Sequence, residues 1–151
     1  MPMKTETSEV VDLSFFLTTE ESELEINSPD GKPTGWKIRL ASPAHPQTVE
    51  WNEKSMRQNL HRQKLIEQAQ VNGKKYIAEE KTPDEQRREN VDWVVARIID
   101  WTPVKLPWGT FSFSRKAAED LLVRPEMNWA LSQIMEALGE EKRFMKRSAT
   151  A

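Results

Sequence analysis

A chain of 151 residues has room for one ordinary domain, but 37% apolar and 30% charged residues leave much of it at the surface. With no Cys there is no disulfide framework and no thiolate metal site, a composition that suits a cytosolic protein. No apolar run approaches the roughly 20 residues of a membrane span, and the acidic N-terminus lacks a signal-peptide core, so a soluble intracellular protein without membrane contact is expected.

The net charge of −2 is unevenly laid out. Residues 1–31 hold one Lys against eight acids, whereas residues 32–75 hold nine Lys and Arg against three acids. Mutual neutralisation, within one fold or between subunits, accounts for this pattern. A nucleic-acid footprint over 32–75 is the weaker reading, because its only aromatics are Trp36 and Trp51 and it carries no recognised motif.

In chain order, residues 1–21 read as an N-terminal extension. Its polar start leads into Val10, Val11, Leu13, Phe15, Phe16 and Leu17. Such a cluster docks on the body as a short helix or is presented to a partner, and docking is the expectation. Residues 22–47 carry a β-hairpin. Leu24 and Ile26 alternate with acids, Trp36, Ile38 and Leu40 alternate with Lys37 and Arg39, and a loop rich in Pro, Asp and Gly lies between. Pairing residues whose numbers sum to 62 places Glu25 against Lys37 and Glu23 against Arg39 on one face. The same register places Leu24 against Ile38 and Ile26 against Trp36 on the other, buried face.

Residues 48–81 are expected to form a charged, weakly amphipathic helix to about residue 71, stopped at Asn72-Gly73, and then an exposed loop anchored by Tyr76 and Ile77. Residues 82–139 read as a helical core. Thr82, Pro83 and Glu85 make a capping box, and the stripe Val91, Val94, Val95, Ile98, Ile99 predicts a helix ending near Asp100 and Trp101. A rigid connector over 104–110 follows, then a short helix capped by Ser114 or Ser112 and bearing Ala117, Ala118, Leu121 and Leu122. Pro125 opens a last helix lined by Met127, Ala130, Leu131, Ile134 and Leu138, with Gly139 as its C-cap. Residues 140–151 are expected to fray as a basic tail. The fold class is thus mainly α with a small N-terminal β-hairpin (α+β), its short C-terminal helices packed as a compact bundle. Val91, Val95, Ile98, Leu121, Leu122, Ile134 and Leu138 are expected to form one cluster.

Chemistry-bearing patterns are missing. His45 lies between prolines and His61 among polar residues, no metal-ligand spacing occurs, and five scattered Gly build no phosphate-cradling loop. Adjacent acid pairs such as Glu79-Glu80 and Glu140-Glu141 lie in polar runs, where a carboxylate keeps an ordinary pKa and is poorly suited to acid–base work. A binding protein without enzymatic activity, cofactor or metal is the expectation. Among the six Trp, Trp93, Trp101 and Trp129 suit helix seams. Trp51, after the extended triplet Thr48-Val49-Glu50, and Trp108, on a Pro-Gly connector, are less obliged to be buried. With Phe144 in the tail they are the candidate partner contacts, since exposed aromatics on constrained loops make good anchors.

The order of a hairpin, a charged helix, an apolar helix ending Ala96-Arg97-Ile98-Ile99-Asp100-Trp101, then Phe111-Ser112-Phe113-Ser114 before Leu121, Leu122 and Pro125, and a final helix with Trp129, Gln133 and Ile134 ahead of Phe144 resembles a known family. It is similar to the small tail assembly chaperones of long-tailed bacteriophages and prophages, over roughly residues 22–145 and most densely from 91 to 145. The two-proline connector and the basic tail depart from the usual pattern. The resemblance implies a non-enzymatic protein of the bacterial host cytoplasm that binds the tape-measure protein, recruits tail-tube subunits and occurs also as a longer frameshifted product. Self-association is compatible with it. The rival readings are a structural tail or neck component of the virion and a small nucleic-acid-binding regulator.

Overall fold

The computed structural model describes residues 10–73 and 81–145, and the fold is α+β. Two antiparallel strands, β1 (Glu21–Asn27) and β2 (Pro33–Ala41), form the hairpin. Its loop closes where Gly31, at φ 89°, donates its N–H to the Ser28 carbonyl, a left-handed position suited to Gly. Glu23 lies opposite Arg39, Leu24 opposite Ile38 and Glu25 opposite Lys37, in the predicted register. A bulge between Glu25 and Asn27 then shifts the pairing to Asn27 opposite Pro33, while Ile26, Trp36, Ile38 and Leu40 are buried. The ion pairs run diagonally rather than straight across. Arg39 forks onto Glu21 at 2.9 and 3.1 Å, Lys37 lies 3.9 Å from Glu23, and Glu25 instead accepts the Gly35 N–H. Strand twist brings one diagonal within reach of long side chains and takes the direct neighbour away.

Helix α1 (Pro46–Val71) follows, with Pro46 at its first position and the His45 side chain accepting the Gln47 N–H. Thr48, Val49 and Glu50 are therefore helical, not extended. Straight-chain residues and no internal Gly or Pro sustain its length. Helix α2 (Pro83–Ala96) starts at Thr82, whose hydroxyl accepts the Glu85 N–H as the capping pattern predicts. It stops earlier than the apolar stripe suggested. Ile98–Trp101 is strand β3, antiparallel to β2, with Ile38 opposite Trp101 and Leu40 opposite Ile98. The exposed edge of β2 needs a partner, and a β-branched and aromatic run supplies one in place of the last helical turn.

The expected rigid connector is also a hairpin. Val104–Leu106 (β4) pairs with Gly109–Phe111 (β5) around the turn Pro107-Trp108. Ser114, not Ser112, caps helix α3 (Arg115–Leu122) by accepting the Ala117 N–H. A 3-10 turn (Pro125–Met127) opens helix α4 (Asn128–Leu138), and a second 3-10 turn (Glu141–Phe144) replaces the expected fraying at 140–145. The anchor assigned to Tyr76 and Ile77, and the tail beyond 145, lie outside the described residues.

One core joins sheet and helices. Ile26, Trp36, Ile38 and Leu40 meet Val91, Val94 and Val95 of α2, Leu121 and Leu122 of α3, and Leu131, Ile134 and Leu138 of α4. All seven residues expected to cluster are in it, Ile98 from a strand rather than a helix. The N-terminal apolar cluster does not dock as predicted. Val10, Val11, Leu13, Phe16 and Leu17 are all exposed, and residues 14–16 form only a 3-10 turn. Polar side chains occupy both edges of the sheet: Gln133 exchanges two hydrogen bonds with the Asn27 backbone at 2.8 Å, and Gln47 donates to the Ala96 and Ile98 carbonyls at 2.7 and 2.8 Å.

Candidate partner-binding surface

The β4–β5 hairpin, the start of β2 and the start of α4 border a groove of about 400 Å³. Trp36 enters from β2, Pro103, Val104 and Leu106 from the hairpin, and Met127 and Trp129 from the turn into α4. Each position has a local cause. Trp36 is held edge-to-face against Trp101 at 5.3 Å between ring centroids, and Trp101 against Phe113 at 5.3 Å, geometry that aromatic quadrupoles favour. The Trp101 indole N–H is anchored on the Phe111 carbonyl at 3.2 Å, tying the hairpin to β3. Pro125 starts the turn that swings Met127 inward. Lys105 is the one charged side chain in the lining, beside Thr34 and Thr102. The Trp36 indole N–H is buried without a hydrogen-bond partner.

Trp108 stands at the tip of the same hairpin, 41% exposed, with the Arg124 guanidinium 4.6 Å above its ring. It keeps the exposed position expected of a contact residue. Trp51 is half-buried, and its indole N–H donates to Asp92 on α2 at 3.3 Å, so it fastens α1 to the body. Phe144 is a correction. It is 1% exposed, beneath the Arg97 guanidinium at 5.6 Å, because the 3-10 turn Glu141–Phe144 folds it back against the sheet. The structure does not bring the three together on one surface. Trp36 is buried and Trp129 half-buried against the core, as their sequence positions led one to expect. What the sequence did not disclose is the groove itself, since the pairing of 104–106 with 109–111 is absent from any local periodicity.

The electrostatics are modest. Arg39, hydrogen-bonded to Glu21, holds that carboxyl below the usual carboxylate range. Burial lowers the Arg97 pKa, and its Nε donates to the Ala41 carbonyl at 2.9 Å. Among the described residues no group of three or more His, Cys, Asp or Glu is placed to hold a metal ion, and no helix is long and apolar enough to cross a membrane. What the groove can do is take up apolar side chains beside a single cation. Compared with known proteins, the chain matches no protein-family model, no curated protein and no solved structure.

Proposed function

We propose that this chain is a non-enzymatic tail assembly chaperone of a long-tailed phage or prophage, which binds the tape-measure protein in the bacterial host cytoplasm and helps recruit tail-tube subunits. The observation that carries the reading is the open groove between Trp36, Leu106, Met127 and Trp129, with exposed Trp108 on the same hairpin. A groove of this kind accepts the apolar face of an amphipathic helix, reading side chains at i, i+3 and i+4. The sequence likeness over roughly residues 22–145 supports the same reading, although the helix it places up to Trp101 ends at Ala96 and gives way to strand β3.

Co-expression with the tape-measure protein of the same gene cluster tests it. The tape-measure protein should become soluble and co-purify with this chain. A tape-measure protein that stays insoluble, and that this chain does not retain in a pull-down, would overturn the reading. Stoichiometric recovery of the chain in purified particles would instead make it a structural virion component.

A further inference from the structure

Helix α1 starts at an uncommon cap. Pro46 has no N–H, and the Thr48 and Val49 N–H groups both donate to the His45 carbonyl at 3.0 Å. The Gln47 N–H depends on a side chain: it donates to Nδ1 of His45 at 3.1 Å. Ser, Thr and Asn, common residues at this position, accept through an oxygen that does not titrate near neutral pH. An imidazole nitrogen accepts only while it carries no proton, and imidazole changes charge between about pH 5 and 8.

What hangs on this bond is the attachment of the helix. The Gln47 side chain donates through Nε2 to the Ala96 and Ile98 carbonyls, bridging the end of α2 and the start of β3. Among the described residues, the other hydrogen bond from α1 to another element is the Trp51 indole on Asp92. Buried Thr48 lies between them, its hydroxyl without a partner. The rest of this 26-residue helix is an arm.

The charged groups around His45 decide where an imidazolium turns. Glu21 of β1 is close enough for the His45 charge to act on its carboxyl, onto which Arg39 of β2 forks. Arg39 holds that carboxyl below the usual carboxylate range, so Glu21 is still ionised where an imidazole gains its proton. Glu20 gives its carbonyl to the Ser42 N–H, Arg97 at the end of α2 is bonded to the Ala41 carbonyl, and Glu50 is exposed on α1. A proton on Nδ1 removes the acceptor of the Gln47 N–H and sets a positive charge at the positive end of the helix dipole.

We propose that His45 is a proton-controlled latch on α1. Neutral, it holds the first turn of the helix and the Gln47 amide on the α2–β3 junction; protonated, it turns to Glu21 and releases them. Attachment is therefore present above the imidazole range and is lost as pH falls through it. Nothing in this latch depends on the tail-assembly reading.

Amide exchange of the full chain tests it, read by NMR at the Gln47 N–H at about pH 8 and about pH 5 and corrected for the intrinsic pH dependence of exchange. Protection should fall roughly fivefold on acidification, the factor that an ordinary cap carries. The Gln47 side-chain amide resonances should move toward those of a free amide over the same interval. His45→Asn, which keeps an acceptor and has no proton to gain, should hold protection constant, and His45→Ala should lack it at both pH values. His61→Gln, at an exposed position of α1, should behave as the wild type. If His45→Asn alters the far-ultraviolet circular dichroism spectrum, His45→Ser is read in its place. Wild-type protection that does not fall, or that falls equally in the His45→Asn chain, would overturn the latch. So would a fall in backbone protection with the Gln47 side chain unmoved, because the helix would then have stayed on the junction.

Discussion

Arg97 shows how one side chain can be kept for its volume rather than its charge. It is buried, its Nε reaches the Ala41 carbonyl, its Nη2 has no partner, and its guanidinium covers Phe144. A buried cation without a carboxylate opposes folding unless its stem and plane fill space well. Arg97→Met, which keeps length and discards charge, should therefore leave the melting temperature unchanged or raise it. Arg97→Ala should cost about 2–4 kcal/mol by opening a void against Phe144. Equal losses in chemical denaturation for both variants would show that the charge itself is needed. Glu21 poses the opposite case at the surface. Its folded pKa is depressed by the Arg39 hydrogen bond, so its contribution is present above the unfolded carboxylate range and is lost as pH falls through the folded value. Arg39→Gln should return the Glu21 carboxyl to the ordinary range in a carboxyl-resolved NMR titration, and an unmoved titration would sink the pairing.

At the scale of elements, what could be read in advance depended on how local the cause was. The β1–β2 hairpin was legible because both pleat faces constrain a single register, and the α2 and α3 caps because Thr82 and Ser114 act within three residues. Strand β3 was not. Val91, Val94, Val95, Ile98 and Ile99 satisfy helical spacing without a break, and the competing demand comes from β2, more than fifty residues earlier. The β4–β5 hairpin was hidden by its brevity, three residues a side, too short to display an alternation. The exposure of 10–17 was misjudged because an apolar run reads alike whether its cover is its own core or another molecule. The helical cluster was recovered even so, since Ile98 reaches the same core from a strand as from a helix. Leu122 tests that cluster. It is fully buried, and Leu122→Ala should lower stability by about 2–5 kcal/mol in a denaturant titration. A loss below about half a kilocalorie would mean that α3 does not seal the core.

For the whole molecule, the arrangement separates a rigid groove from an arm. Sheet, α2, α3 and α4 share one core, and the aromatic run Trp36, Trp101, Phe113 stiffens the wall that faces the groove. Of the three aromatics singled out from sequence, Trp51 is tied to Asp92, Phe144 belongs to the core, and Trp108 alone stands exposed at the tip of the groove's hairpin, one ring face under Arg124. That distribution follows from contacts distant in sequence, Trp51 to Asp92 and Phe144 to Arg97, which loop or tail position cannot disclose. Trp108 keeps 41% of its surface exposed, and its cation–π contact with the half-buried Arg124 is worth about 0.5–2 kcal/mol. If the groove receives an apolar helix, Trp108 is placed to cover the docked residues and exclude water from them, as anchors at an interface do. Trp108→Ala should then weaken capture of the tape-measure protein at least about tenfold, roughly 1.4 kcal/mol, while the melting temperature stays close to that of the wild type. Calorimetric titration and a thermal melt on the same preparation separate the two effects. A fall in melting temperature with binding intact would assign Trp108 to the fold and leave the groove without its anchor.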